Sequence, residues 1–227
     1  MSPDSPVAFL LDVDNTLLDN DRIERDIKHY LDATFGPNSG DDFWKIFEEV
    51  RAELGYADYF GALQRYRIGR LRDPRILDVS SFLIDYRFGD CLYPRALDVI
   101  ERLRTFGPTV VVSDGDAVFQ PRKVRQSGLW KAVDGHVLIY IHKENMLDDI
   151  AERYPADRYV MIDDKIRVLA EMKKTWRDRL TTVFVRQGHY ARDKGAVAQY
   201  PPADFEIEDI EALLQQEVIA ALSRHKA

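Results

Sequence analysis

Val7-Ala8-Phe9-Leu10-Leu11-Asp12-Val13-Asp14-Asn15-Thr16-Leu17 is the stretch on which the fold turns. Apolar residues that follow one another without polar alternation describe a strand buried on both faces, as in a parallel sheet between two layers of helix. The run stops on two carboxylates at alternate positions. Alternation along the strand sends Asp12 and Asp14 to the same side, and open α/β sheets bind ligands beyond the carboxyl ends of their strands. Two unpaired carboxylates held that close repel one another. A cation removes the conflict, and hard oxygen donors beside a phosphate suit magnesium better than zinc.

Working outward, similar apolar runs occupy residues 109–112, 136–141, 159–162 and 181–185. Between them lie helical spacings: Ile166, Leu169, Ala170 and Lys173 share one face, as do Ile210, Leu213, Leu214 and Leu222. The alternation predicts an α/β chain with a doubly wound parallel sheet. Residues 18–92 break the rhythm, offering helical patterns and no strand. The clearest is 41–54, with Asp41 or Asp42 as N-cap and Phe43, Ile46, Phe47, Val50 and Leu54 as the apolar stripe. Residues 58–71 and 75–88 continue the helical texture, and Tyr93-Pro94 marks the return. The expected division is an α/β core of residues 1–18 and 93–227 carrying an inserted α-helical domain of residues 19–92.

Composition bounds the function. The 227 residues are 45% hydrophobic and 31% charged, enough apolar material for a folded core. A net charge of -7 argues against charge-driven binding to nucleic acid or an anionic membrane. Cys91 is the only cysteine, so no internal disulfide can form; this and the absence of a basic, apolar leader point to the cytoplasm. Oligomeric state is not legible.

The other strand ends carry chemistry too. Ser113-Asp114-Gly115 closes the second run with a hydroxyl followed by backbone N–H groups able to reach a phosphate oxygen, although Ser before Asp-Gly is also ordinary turn chemistry. Lys143 follows the third run and could neutralise phosphoryl charge or be a solvated surface lysine. Asp163 and Asp164 close the fourth; helix capping explains one acid but not both. A calcium loop beginning at Asp12 fails on spacing, because its sixth position is Leu17 and its twelfth Ile23. A receiver domain fails on order, since its paired acids would come first.

These four segments, in this order and at these strand ends, resemble the haloacid dehalogenase superfamily of phosphotransferases over residues 6–18 and 93 to about 190. The resemblance implies that Asp12 is the nucleophile and Asp14 the general acid and base. It implies that Ser113 and Lys143 serve the phosphate, joined by Asp14, Asn15, Asp114 and Gly115. Magnesium would be held by Asp12, the main-chain carbonyl of Asp14, Asp163 and Asp164, with Asp163 the direct ligand of the pair. Members that cleave carbon–halogen bonds lack an aspartate at the position of Asp14, so the implied substrate is a small phosphorylated metabolite and the implied activity a magnesium-dependent phosphatase. The insert resembles the family's helical cap.

The family lysine is commonly followed by proline, and here Glu144 follows Lys143. Arg122, Lys123 and Arg125 are basic substitutes, for which a solvated helix face is the plain alternative. Arg186-Gln187-Gly188-His189-Tyr190 falls at the same sheet edge and could line the pocket, with His189 structural or exposed. Five arginines between Arg65 and Arg75 either bind a second anion or form a solvated face, the latter favoured. A phosphomutase would use the same intermediate, and a non-catalytic phosphometabolite-binding module would keep the pocket without turnover. Phosphonate hydrolysis needs a Schiff-base lysine, and the insert offers only Lys28 and Lys45.

Overall fold

The computed structural model describes residues 7–224. Six parallel strands run in the order β3-β2-β1-β4-β5-β6, where β1 is Val7–Leu11, β2 Thr109–Asp114, β3 Val137–Tyr140, β4 Arg158–Asp163, β5 Leu180–Val185 and β6 Phe205–Ile207. The order reverses between β1 and β4, and at that point the flanking connections leave in opposite directions and open a crevice at the carboxyl edge. The doubly wound parallel sheet is therefore as expected.

The uninterrupted apolar runs have their cause in the layers. Phe9 and Leu11 of β1 join one buried cluster together with Val111, Val160, Ile162 and Val183. Ala8 and Leu10 face the other way, into a second cluster with Val110, Val112, Met161 and Phe184. Both faces of each central strand are thus covered, and neither tolerates polar alternation.

Between β1 and the chain's return at Tyr93 lie four α-helices: α1 Asn20–Phe35, α2 Ser39–Leu54, α3 Tyr59–Ile68 and α4 Ile76–Ile84. Leu18 and Leu92 face each other in an antiparallel bridge, flanked by Asp19 N–H to Cys91 O at 2.8 Å and Tyr93 N–H to Leu17 O at 3.0 Å. The chain thus leaves and re-enters the sheet region along neighbouring paths. The remaining helices are α5 Ala96–Arg104, α6 Phe119–Gln126, α7 Leu129–Ala132, α8 Leu147–Arg153, α9 Ile166–Trp176, α10 Gly188–Arg192, α11 Lys194–Val197 and α12 Gln216–Arg224.

Several local expectations shift. Neither Asp41 nor Asp42 caps α2; the helix starts at Ser39 after Asn38 in the left-handed conformation, and both acids sit in its first turn, where they complement the helix dipole. Gly40, in that first turn, lets α1 pack closely, because a Cβ there would come within 2.7 Å of the Lys28 backbone. Asp58 caps α3 through its side chain, 2.7 Å from the Gly61 N–H. Residues 75–88 are shorter in helix than expected, giving α4 and then a 3₁₀ turn at Phe88–Cys91. At the C-terminal end, Ile210–Leu214 is a 3₁₀ turn capped by Asp209, not the start of one long helix.

Candidate active site

The register of β1 and β4 builds the centre. Leu11 pairs with Ile162, and the Asp12 N–H donates to Ile162 O at 3.0 Å, so the next residues of the two strands, Asp12 and Asp163, emerge side by side. Asp12, Asp163 and Asp164 each offer a carboxylate oxygen within 4.8 Å of the others, and all three residues are buried. Thr16 ties the cluster together: its hydroxyl donates to Asp12 Oδ2 at 3.3 Å and accepts the Asp164 N–H at 3.1 Å.

Lys143 enters from the loop after β3 and is 1% exposed, not a solvated lysine. Its Nζ lies 2.5 Å from Asp12 Oδ1 and 2.7 Å from Asp163 Oδ2, and it donates to Val112 O at 3.2 Å. Asp114 sets this loop by accepting the Lys143 main-chain N–H at 2.7 Å. Burial opposes charge on the ammonium, but Asp12, Asp163 and Asp114 outweigh it and push its pKa up. Burial also pushes Asp163 up to about 6, with the Asp12 charge adding to the rise and Lys143 opposing it. Asp164 is raised as well, first by burial and then by Asp163 and Asp12, against the pull of Lys165. Neither carboxylate oxygen of Asp164 has a hydrogen-bond donor among the described residues. A buried carboxylate without donors carries a desolvation penalty that a cation relieves.

Asp14 stands apart from this cluster. Its Oδ1 accepts from Lys123 Nζ at 2.6 Å and its Oδ2 from Gln120 Nε2 at 3.3 Å, both on α6. Lys123 is 1% exposed, so the solvated-face expectation fails for it. Asn20 Oδ1, 2.9 Å away, completes its surroundings. Arg122 instead reaches Ile84 O and Asp85, and Arg125 lies over the Trp130 ring. Gln120 also donates to the Ser113 hydroxyl at 2.9 Å, linking the two strand ends.

Asn15 and Gly115, two of the expected phosphate contacts, also hold bonds within the fold. Asn15, at φ 59°, accepts the Asn20 N–H at 2.9 Å, donates to Asp21 at 2.9 Å and bonds its own N–H to Leu18 O, so it shapes the loop. The Gly115 N–H donates to Tyr140 O at 2.9 Å, extending the β2–β3 pairing. Gly188 closes over Asn15 at φ +69°, where a Cβ would come 2.4 Å from the asparagine side chain. Gln187 donates to Thr16 O at 3.2 Å. His189 is exposed, with Nδ1 2.6 Å from Asp21 Oδ1.

Lys165 belongs to none of the sequence motifs. It follows the acidic pair directly, its N–H donates to Asp163 Oδ1 at 2.8 Å, and Asp164 first, then Asp12 and Asp163, hold its ammonium protonated against burial. A basic residue immediately after a strand-terminal acid pair was the available signal. A cavity of about 700 Å³ opens above the site, lined by Asp14, Asp114 and Lys165 below and by α1, α2 and the α2–α3 loop above. None of the arginines between Arg65 and Arg75 lines it; Arg25 and Arg51 do.

A profile of the haloacid dehalogenase-like hydrolases matches residues 7–174. The chain belongs to this family of hydrolases. A haloacid dehalogenase-like hydrolase of Burkholderia xenovorans LB400, known from its crystal structure, is 54% identical, with 94% of this chain and 98% of that one covered and a TM-score of 0.88. Two more distant structures share the fold. A HAD hydrolase of Bacillus subtilis solved with magnesium is 17% identical (92% and 97% covered, TM-score 0.61). An L-2-haloacid dehalogenase of Xanthobacter autotrophicus with covalently bound chloropropionic acid is 14% identical (91% and 96% covered, TM-score 0.60). No curated protein matches the chain in sequence. No helix among the described residues is long and apolar enough to cross a membrane.

Proposed function

We propose that this chain is a magnesium-dependent phosphomonoester hydrolase that acts on a small phosphorylated metabolite, in the cytoplasm, through an aspartyl-phosphate on Asp12. The observation that carries the reading is the buried trio Asp12, Asp163 and Asp164, with both oxygens of Asp164 lacking a donor. An all-oxygen donor set of this charge fits magnesium. Asp12, Asp163, Asp164 and the Asp14 main-chain carbonyl would hold the ion. When bound, it would neutralise charge on the phosphoryl oxygens.

The protein groups divide the remaining work. The Asp12 carboxylate attacks phosphorus, forming an O–P bond as the ester O–P bond breaks. Asp14 gives its proton to the departing alkoxide; Oδ2, whose single contact is a long 3.3 Å, is the oxygen left to trade it. Water then attacks the same phosphorus, releasing Asp12, while Asp14 takes the water's proton. Lys143 and Ser113 border the path of the phosphoryl group, whose transfer depends mainly on positioning and charge stabilisation. The helices of residues 19–92 act in this reading as a cap that excludes water.

Fold relatives include dehalogenases, yet a halide leaves without a proton. An acid at residue 14, held by a buried lysine and a glutamine, serves an alkoxide. The test is a phosphate-release screen over small phosphorylated metabolites with magnesium and with chelator. Release that requires magnesium supports the reading; release of halide from 2-haloacids without phosphate release contradicts it, and an isomerised phosphate in place of free phosphate makes the enzyme a mutase.

A further inference from the structure

The cavity above Asp14 is much larger than a phosphoryl group needs. At about 700 Å³ it lies within the range of sites that enclose a whole drug-sized ligand. Its upper wall is aromatic. Trp44 and Phe47 of α2 stack at 4.6 Å, Phe47 meets Tyr59 of α3 at 4.6 Å, and Tyr59 rests on Phe119 of α6 at 4.3 Å. This chain of rings locks the wall and carries it into the protein core, since Phe47, Tyr59 and Phe119 are all buried.

Tyr56 differs from these rings. It lines the same cavity from the α2–α3 loop, is half-buried, and has no ring stacked on it among the described residues. Glu24 and Glu48 line the cavity as well; Glu24 Oε1 lies 3.0 Å from Lys28 Nζ and Glu48 Oε1 3.5 Å from Arg51, which leaves the Oε2 of each as an acceptor beside the rings. A rigid apolar wall, an aromatic face without a partner and carboxylate acceptors at the edge recognise a flat ring bearing hydrogen-bond donors.

We infer that the substrate is the phosphate monoester of an alcohol carrying a flat ring with donor groups, the chemistry shared by nucleosides and hydroxylated aryl compounds, and that Tyr56 is a ring-binding residue. This rests on the hydrolase reading above for the phosphate end of the ligand; the ring end stands on the cavity wall alone. Acyclic phosphates of three or four carbons would leave the aromatic wall uncovered.

The test separates the two ends by measuring binding without turnover. Affinities of the Asp12→Asn protein, loaded with magnesium, are compared for nucleoside 5′-monophosphates, 4-hydroxyphenyl phosphate and glycerol 3-phosphate. Ring-bearing phosphates are expected to bind at least about tenfold tighter than glycerol 3-phosphate, the scale of one stacking contact. Adding Tyr56→Ala should shrink that ratio several-fold, and Tyr56→Phe should restore it. Nucleotides tighter than 4-hydroxyphenyl phosphate identify the nucleoside source; the reverse identifies the aryl source. Equal affinity for ring-bearing and acyclic phosphates, or a ratio untouched by Tyr56→Ala, overturns the inference whatever the wild-type hydrolysis. Ring preference in binding with no phosphate release from the wild type would leave it standing and count against the hydrolase reading instead.

Discussion

Lys123 Nζ lies 2.6 Å from Asp14 Oδ1, joining residues 109 positions apart in the chain. An ammonium on a side chain 1% exposed needs fixed acceptors, and Asp14 Oδ1 and Asn20 Oδ1 are those it has among the described residues. The same contact fixes where the Asp14 carboxylate stands relative to Asp12.

Lys123→Met should therefore lower kcat far more than it raises KM. A misplaced proton-transfer group costs about 10²-fold or more. Lys123→Arg, which keeps the charge and changes the reach, should recover part of the loss. Steady-state kinetics of the two variants check this; equal loss in both, carried by KM, would assign Lys123 to substrate binding.

Removing the other partner tests stability. Asp14→Ala strands the Lys123 ammonium. Loss of one member of a fully buried pair costs about 3–5 kcal/mol, and the figure is discounted here because the Asp14 side chain is 24% exposed. We expect about 1–3 kcal/mol by urea unfolding, largely abolished in the Asp14→Ala, Lys123→Met double variant.

Asp164 gives a prediction of opposite sign with and without metal. Asp164→Asn removes a buried charge that no protein donor satisfies, so the metal-free variant should melt at least as high as wild type. Magnesium should raise the wild-type melting temperature, by a stabilisation of about 2.7 kcal/mol at a hundred times Kd, and should raise the variant's far less. Calorimetry with and without magnesium measures both.

The raised carboxylates also set a pH dependence. Burial pushes the Asp163 carboxyl up to about 6 from an ordinary 3.8, so between those values the folded, metal-free protein holds a proton that the unfolded state has lost. Its contribution favours folding most fully below 3.8 and is lost as pH rises towards 6. Magnesium needs the ionised form, so metal affinity should weaken as pH falls below about 6, with proton uptake on metal release. Titrations at pH 5, 6 and 7 in buffers of different ionisation enthalpy would reveal this; affinity flat over that range would refute the coupling.

Which features could be read beforehand follows from where burial comes from. The runs at residues 159–162 and 181–185 announced β4 and β5 because two covered faces leave no room for polar alternation. Strand β6, the three residues Phe205-Glu206-Ile207 at the sheet edge, carries no such run. The acids at 12, 163 and 164 were visible because charge at the end of an apolar run conflicts with its surroundings. Lys123 stood out only as one of three basic residues that could substitute for Lys143, because Pro121-Arg122-Lys123-Val124-Arg125 also looks like a solvated helix face, and only Asp14 arriving from a distant strand makes its burial tolerable. Asn15 and Gly115 have residue types that suit a phosphate loop, and their part in the turn and in the β2–β3 pairing is visible only in the fold.

The central claim is covalent attack by Asp12 on phosphorus, and its most direct measurement is rapid acid quench during turnover followed by peptide mapping. The account predicts a phosphoryl group on the peptide containing Asp12, formed in step with release of the alcohol, and no label or phosphate release from a folded Asp12→Asn protein. Phosphate release at near wild-type rates from Asp12→Asn, or a phosphoryl group on another residue, would contradict it.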